Sequence, residues 1–376
     1  DILSPMTFPA KRAILAALLL TPVVVGIRVG RPDTTSEGSR PRTLVSTHGN
    51  MPPVRASHVL VVFNARSADG RAIADRYVAL RHVPEANVLR IVCPETDEWT
   101  LAEYRTTLET FVQQRIAADP DLDYVVLTRG IPFRLSDSGS DGGFSTDSTL
   151  STCGMNPRPD TRAANPYYRQ VNRFTRGRYG ILLVTRLDGP TLQSALGLID
   201  SATHAQARRG PFYLRDSFAM NMAPANLLLT RRGFTTEFVH GFNNSRYPHY
   251  EGLGGPYMAH WGAGPHDTQY TAENYAKLKF LPGAICDITW SASAAGLRDA
   301  GSVGNIAVMT GNGAAGAQGY VSEPYADSLS KPEFVLDRYT RGYDLAESFS
   351  AGTPYVNWKQ IVLGDPLCAP YAATKP

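Results

Sequence analysis

Short apolar runs alternate with stretches of helical spacing through most of this chain. The run HVLVVFN at 58–64 has the continuous apolar character of a strand buried on both faces, and it delivers Asn64 to its carboxyl edge. In RAIADRYVALRHVP the residues Ile73, Ala74, Tyr77, Val78 and Leu80 fall close to helical spacing, and Pro84 stops the pattern. The cycle then repeats with NVLRIV as strand, LAEYRTTLETFVQQRIAAD as helix and DYVVLTRGIP as strand and turn. A second set opens with YGILLVTRLDGP at 179–190, followed by a helix from Thr191 to about Arg209 and by PFYLRD. A helix around 225–232, TEFVH, PYMAHW, GAICDIT, a helix near 303–310 and AAGAQGYV come next. The closing stretch KPEFVLDRYTRGYDLAESF reads as one or two helices packed on the sheet. Such alternation predicts an α/β fold with a mostly parallel sheet flanked by helices. Two packed lobes are expected, at 57–190 and 191–376, with no internal repeat of solenoid or propeller period.

Three segments break the pattern. Residues 135–179 form a long polar loop leaving the strand at 123–128, placed to wall a crevice beyond the carboxyl ends of the strands. Residues 29–56 are rich in Pro, Gly, Ser, Thr and Arg and read as a linker. Upstream, Met6, Lys11 and Arg12 precede the apolar run AILAALLLTPVVVGI at 13–27, which gives residues 1–28 the shape of a signal peptide. The run has 15 residues and contains Pro22, short of the roughly 20 that a spanning helix needs. Met6 is expected to be the natural start, with Asp1 to Pro5 an extension. The expectation is an exported protein (periplasm, cell envelope or secreted) with no stable membrane span after processing.

With 376 residues, 43% hydrophobic and 19% charged, the chain is an ordered globular protein. A net charge of +3 implies no general field for polyanions. Between Arg162 and Arg186 there are six Arg and no acidic residue, with Tyr167, Tyr168 and Phe174 interleaved. That mixture can bind single-stranded nucleic acid, but export favours a solvated loop, or a site for anionic polysaccharide or a protein carboxylate, so no nucleic acid is expected. Cys93, Cys153, Cys286 and Cys368 are too widely spaced for a zinc finger and leave room for one disulfide. Residues 311–316 match GxGxxG as a bare string, but a strand and turn follow where the dinucleotide fingerprint needs a helix. His266 and Asp267, with His260 nearby, lack the fixed helical geometry of a metal motif and a third ligand. Neither metal nor cofactor is expected.

The sharpest chemistry lies between Gly254 and Asp287. His260 sits in a glycine-rich turn after one apolar run, and Cys286 at the end of another. On neighbouring strand ends they would make a base and nucleophile, the imidazole taking the thiol proton. Gly262, Ala263 and Gly264 would offer backbone donors to an oxyanion. The structural alternatives are a small apolar core cysteine and a histidine held in a tight turn. Asp147 and neighbouring Ser145, Arg186, Asp188 and Glu323 fall at predicted strand ends and can bind an ionised substrate terminus. The same residues can instead form an internal salt-bridge network. Asp365, before a proline, is expected to organise a turn.

The strings NARSADGRAIADRYVALRHVPEANVL, DYVVLTRGIPFRL, FSTDSTL, LVTRLDGPT, HWGAGPHD, LPGAICD, GYVSEPY and WKQIVLGDPLCAPY, in this order, resemble an uncharacterised exported bacterial family. Its members occur in organisms carrying an exosortase-type protein-sorting system. A remoter resemblance is to gingipain-like and caspase-like cysteine peptidases, which have a strand ending in His-Gly and a later strand ending in Cys. Here Trp261 separates His260 from Gly262, and Asp287 follows Cys286. This resemblance implies a caspase-like three-layer arrangement and a cysteine-peptidase-like hydrolase with Cys286 as nucleophile and His260 as base. The alternative is a non-catalytic binding or assembly module in protein sorting or surface-polymer handling, with a peptide or envelope polymer as partner. A third reading, hydrolysis by carboxylates, requires Asp147, Asp188 or Glu323 to line a pocket that lacks Cys286.

Overall fold

The computed structural model describes residues 54–139, 142–216, 220–240, 256–263, 272–299 and 305–372, all within one compact unit, His48–Pro376. Ten strands build its central sheet. They are β1 (Val59–Asn64), β2 (Val88–Ile91), β3 (Tyr124–Thr128), β4 (Leu183–Leu187) and β5 (Phe212–Arg215). The second five are β6 (Thr236–Val239), β7 (Pro256–Ala263), β8 (Lys279–Thr289), β9 (Gly316–Tyr320) and β10 (Gln360–Gly364). Their order across the sheet is β6-β5-β7-β8-β9-β10-β4-β3-β1-β2.

The strands β2, β1, β3 and β4 pair in parallel at one end, and β6, β5, β7, β8 and β9 do so at the other. β10 runs antiparallel to β9 and meets β4 through the pair Leu363–Arg186. One mostly parallel sheet therefore crosses the boundary at residue 190, closed in the middle by a strand from the chain's last part. This is the α/β arrangement that the alternation predicts.

Period-two burial explains the layers. Val59 and Val61 face one side with Ile73 and Tyr77, while Leu60 and Val62 face the other with Tyr104, Leu108 and Val112. Helices cover both faces. Ser67 caps the helix Ala68–Arg81 by accepting from the Gly70 amide. That helix ends at His82 in the left-handed region (φ 57°), two residues before the expected stop at Pro84. The helix expected from Thr191 to Arg209 spans Leu192–Thr203, and the one near 303–310 spans Ile306–Gly311.

The segment 135–179 departs most from expectation. It holds a buried strand Phe144–Ser145 and a buried helix Thr146–Ser151, opened by Ser145, whose hydroxyl accepts from the Ser148 amide. Ser, Thr and Asp are poor helix formers, and here burial and the cap outweigh propensity. The GxGxxG string lies between the helix Ile306–Gly311 and strand β9, the reverse of the strand-to-helix order a dinucleotide site needs.

Candidate functional site

His260 and Cys286 are cross-strand partners on β7 and β8. Cys286 packs with Tyr213, Tyr257 and Tyr275, whereas Ala259 and Trp261 pack on the opposite face. Alternation thus places the imidazole and the thiol on the same face of the sheet. The His260 ring stacks on Tyr213, with centroids 5.0 Å apart and planes 17° from parallel, and Tyr275 lies 6.5 Å away.

The pair does not lie at the strand ends. β7 and β8 continue to the pair Ala263–Thr289, three residues beyond His260 and Cys286. Both side chains are 0% exposed. Burial pushes the Cys286 thiol well above its ordinary value, with Asp287 adding to the rise and the His260 backbone opposing it. Burial, helped by the Arg215 guanidinium, pushes the imidazole down to about 3. These shifts favour the neutral thiol and neutral imidazole over a thiolate and imidazolium. Gly262 belongs to β7, opposite Ile288, while Gly264, His266 and Asp267 lie outside the described residues.

Asp147, Arg186 and Asp188 come together as an interior network. Arg186 donates Nε and Nη2 to Asp147 at 3.2 and 2.6 Å and Nη1 to Asp188 at 3.5 Å. Its remaining donors reach the carbonyls of Ile131 at 2.7 Å and Pro132 at 3.3 Å. All five guanidinium N–H groups are thereby used. Asp147, Arg186 and Asp188 are 2%, 0% and 0% exposed, so this is the salt-bridge arrangement; Asp147 alone also borders a small cavity of about 50 Å³, with Ser148, Ser151 and Asn165. Glu323 is exposed and accepts from the Tyr325 amide in its own turn. Ser145 donates to the Gln360 carbonyl, and Asp365 accepts from Tyr77 and Arg81, tying the last strand to the first helix.

Sequence reasoning passed over Arg298, Arg129, Arg215 and Asp287. Arg298 donates to Asp188 at 2.9 Å, to Asp97 at 2.9 Å and to the Ile131 carbonyl at 3.0 Å. Because it follows β8 while Ile131 and Asp188 follow or end β3 and β4, it locks the carboxyl edges of both strand groups together. Arg129 adds contacts to Asp188 and Asp69. The hints in sequence are slight, Arg129 directly after β3 and Arg215 as the last residue of β5, and the partners of Arg298 and Arg129 are distant in sequence.

Asp287 lies on the face opposite Cys286, beside Trp261 and Gln318 on the neighbouring strands. It is 0% exposed, and burial raises its carboxyl well above the carboxylate range. The Ser330 hydroxyl stands outside hydrogen-bond geometry and offsets this only in part. The folded state therefore holds this proton more tightly than the unfolded chain does. Its contribution is fully present below the unfolded pKa and is lost as pH rises through the folded one. Asp287→Asn is expected to gain stability relative to the parent between pH 4 and 7; parallel urea-unfolding profiles would contradict this.

All four cysteines are free and buried, so the single disulfide that spacing allowed is not formed. Among the described residues no cluster of three or more His, Cys, Asp or Glu could hold a metal, and no helix is long and apolar enough to cross a membrane.

The fold and this edge define an α/β protein with a mostly parallel ten-stranded sheet and a buried Cys/His pair on adjacent strands. No protein-family model matches the sequence, and no curated protein does. The chain is similar to a solved structure described as "Structure of Protease", with a TM-score of 0.52, 12% identity, and coverage of 85% of this chain and 81% of that one. At that identity the likeness is one of fold.

Proposed function

We propose that this protein is a non-catalytic binding or assembly module, exported to the bacterial envelope, that keeps a peptidase-like scaffold. The observation carrying this reading is the complete burial of Cys286 and His260 below the strand ends. A nucleophile must meet its substrate, and its thiolate must be accessible. Here the thiol is raised and the base lowered by the same loss of solvent. Peptides or envelope polymers are the partners this reading calls for, in protein sorting or surface-polymer handling.

A second reading, a cysteine-peptidase-like hydrolase, is favoured by the register of His260 and Cys286 on adjacent parallel strands and by the likeness of fold. In it Cys286 is nucleophile, His260 is base, Gly262 and Gly264 supply oxyanion donors, and Asp147, Arg186, Asp188 and Glu323 bind substrate. It requires the sheet edge to open and expose a thiol that the closed form shields.

The pH dependence of Cys286 alkylation in the full chain separates the two. Peptide mapping distinguishes it from Cys93, Cys153 and Cys368, whose thiols burial pushes up to about 12. Slow labelling, limited by opening of the fold, is expected, and between pH 7 and 8, where His260 is largely neutral both folded and unfolded, His260→Gln should not slow it. Rapid labelling below pH 7 that slows in His260→Gln would establish the hydrolase reading instead.

A further inference from the structure

A cavity of about 520 Å³ lies away from His260 and Cys286, within the usual size range of small-molecule sites. Its floor is the three-stranded ribbon Glu98–Trp99, Arg134–Leu135 and Phe144–Ser145, which contributes Leu135 and Phe144. This ribbon follows β2 and β3, so the cavity opens at the carboxyl edge of the sheet, where open α/β folds bind ligands. The segment 135–179 does supply a wall here, through Ser138, Arg158 and Asp160.

The polar groups are distributed unevenly. Arg105 and Asp160 are exposed at the rim, and neither side chain forms an ion pair or hydrogen bond with another described residue. Asp137, also on the rim, uses one oxygen to accept from the Leu101 amide at 2.7 Å. Deeper in, Arg158 is held by Glu109, while its Nε and the Thr149 hydroxyl have no hydrogen-bond partner. Arg105 and Glu109 are the first and last residues of a π-helical turn, Arg105–Glu109, in the helical stretch 101–118. Such turns are uncommon and recur at functional sites. This one brings Arg105 to the cavity wall and positions the carboxylate that holds Arg158.

A cationic group and carboxylates on one rim, over an apolar floor, complement a molecule with both charges and an apolar side chain. We propose that this cavity binds a zwitterion of that class, a short unblocked peptide, with its carboxylate at Arg105, its ammonium at Asp160 and Asp137, and its side chain over Leu135 and Phe144. The site is independent of whether Cys286 reacts, so the alkylation result does not bear on it.

The test is calorimetric titration of the full chain with leucyl-leucine, its N-acetyl form and its C-terminal amide. Saturable binding of the unblocked dipeptide is expected, with each blocked form about tenfold weaker, as loss of a charged hydrogen bond implies. Arg105→Gln should weaken the unblocked and N-acetyl forms while leaving the amide unchanged. Asp160→Asn should weaken the unblocked form and the amide while leaving the N-acetyl form unchanged. Both are exposed substitutions, and unchanged circular dichroism confirms the fold. No saturable binding, equal affinity for all three forms, or equal losses in both variants whichever end is blocked would overturn the proposal.

Discussion

Replacing Arg186 with methionine is expected to lower the unfolding free energy by about 3–5 kcal/mol, the usual cost of leaving a buried charge without its partner. Against a total stability of about 5–15 kcal/mol for a globular domain, that is a large share. The reason is the completeness of the site. Arg186 is fully buried and spends every donor on Asp147, Asp188 and the carbonyls of Ile131 and Pro132. Methionine fills space but leaves Asp147 uncompensated, whereas Asp188 keeps Arg298 and Arg129. The double variant Arg186→Met, Asp147→Leu should recover most of the loss, because an apolar pair of similar volume is tolerated where a lone charge is not. Arg186→Lys should recover little, since an ammonium cannot reproduce the planar fork. Urea unfolding followed by circular dichroism would report these changes as shifts in midpoint. Equal stability of Arg186→Met and the parent would show that the network carries no net weight.

The same network shows what the sequence could reveal. Asp147, Arg186 and Asp188 stand out as charges beside strand signals, yet whether they face solvent or one another depends on how the segment 135–179 folds back. That segment's helix was hidden because TDSTLS owes its conformation to burial and the Ser145 cap. β1 was legible because a strand buried on both faces is apolar throughout, as Val59 to Val62 are. The stop of the next helix was missed because left-handed His82 ends it before Pro84 acts. For His260 and Cys286 the neighbouring strands were readable, but their depth was not. Each strand continues three residues further, and that extension decides whether the pair sits at an edge or in the core.

That depth makes His260 an acid-sensitive element of the fold. Its imidazole is displaced from 6.5 to about 3, chiefly by burial and secondarily by Arg215. At about 1.4 kcal/mol per unit, this is on the order of 5 kcal/mol. The sign follows from linkage. The unfolded chain binds the proton more readily, so the neutral folded form has its full stability above the unfolded value and loses it as pH falls toward the folded one. Among the described residues, Tyr213 stacks on the ring and the Arg215 guanidinium is the charge that opposes protonation. Between pH 6.5 and 5 the parent should therefore lose about 2 kcal/mol relative to His260→Gln, which cannot take up the proton. Asp287 acts in the opposite direction in both proteins, so it cancels in the difference. Parallel stability profiles for parent and variant would mean that His260 protonates in the folded state at its ordinary pH. An imidazole solvated enough to do so would no longer support the sealed Cys/His pair on which the non-catalytic reading rests.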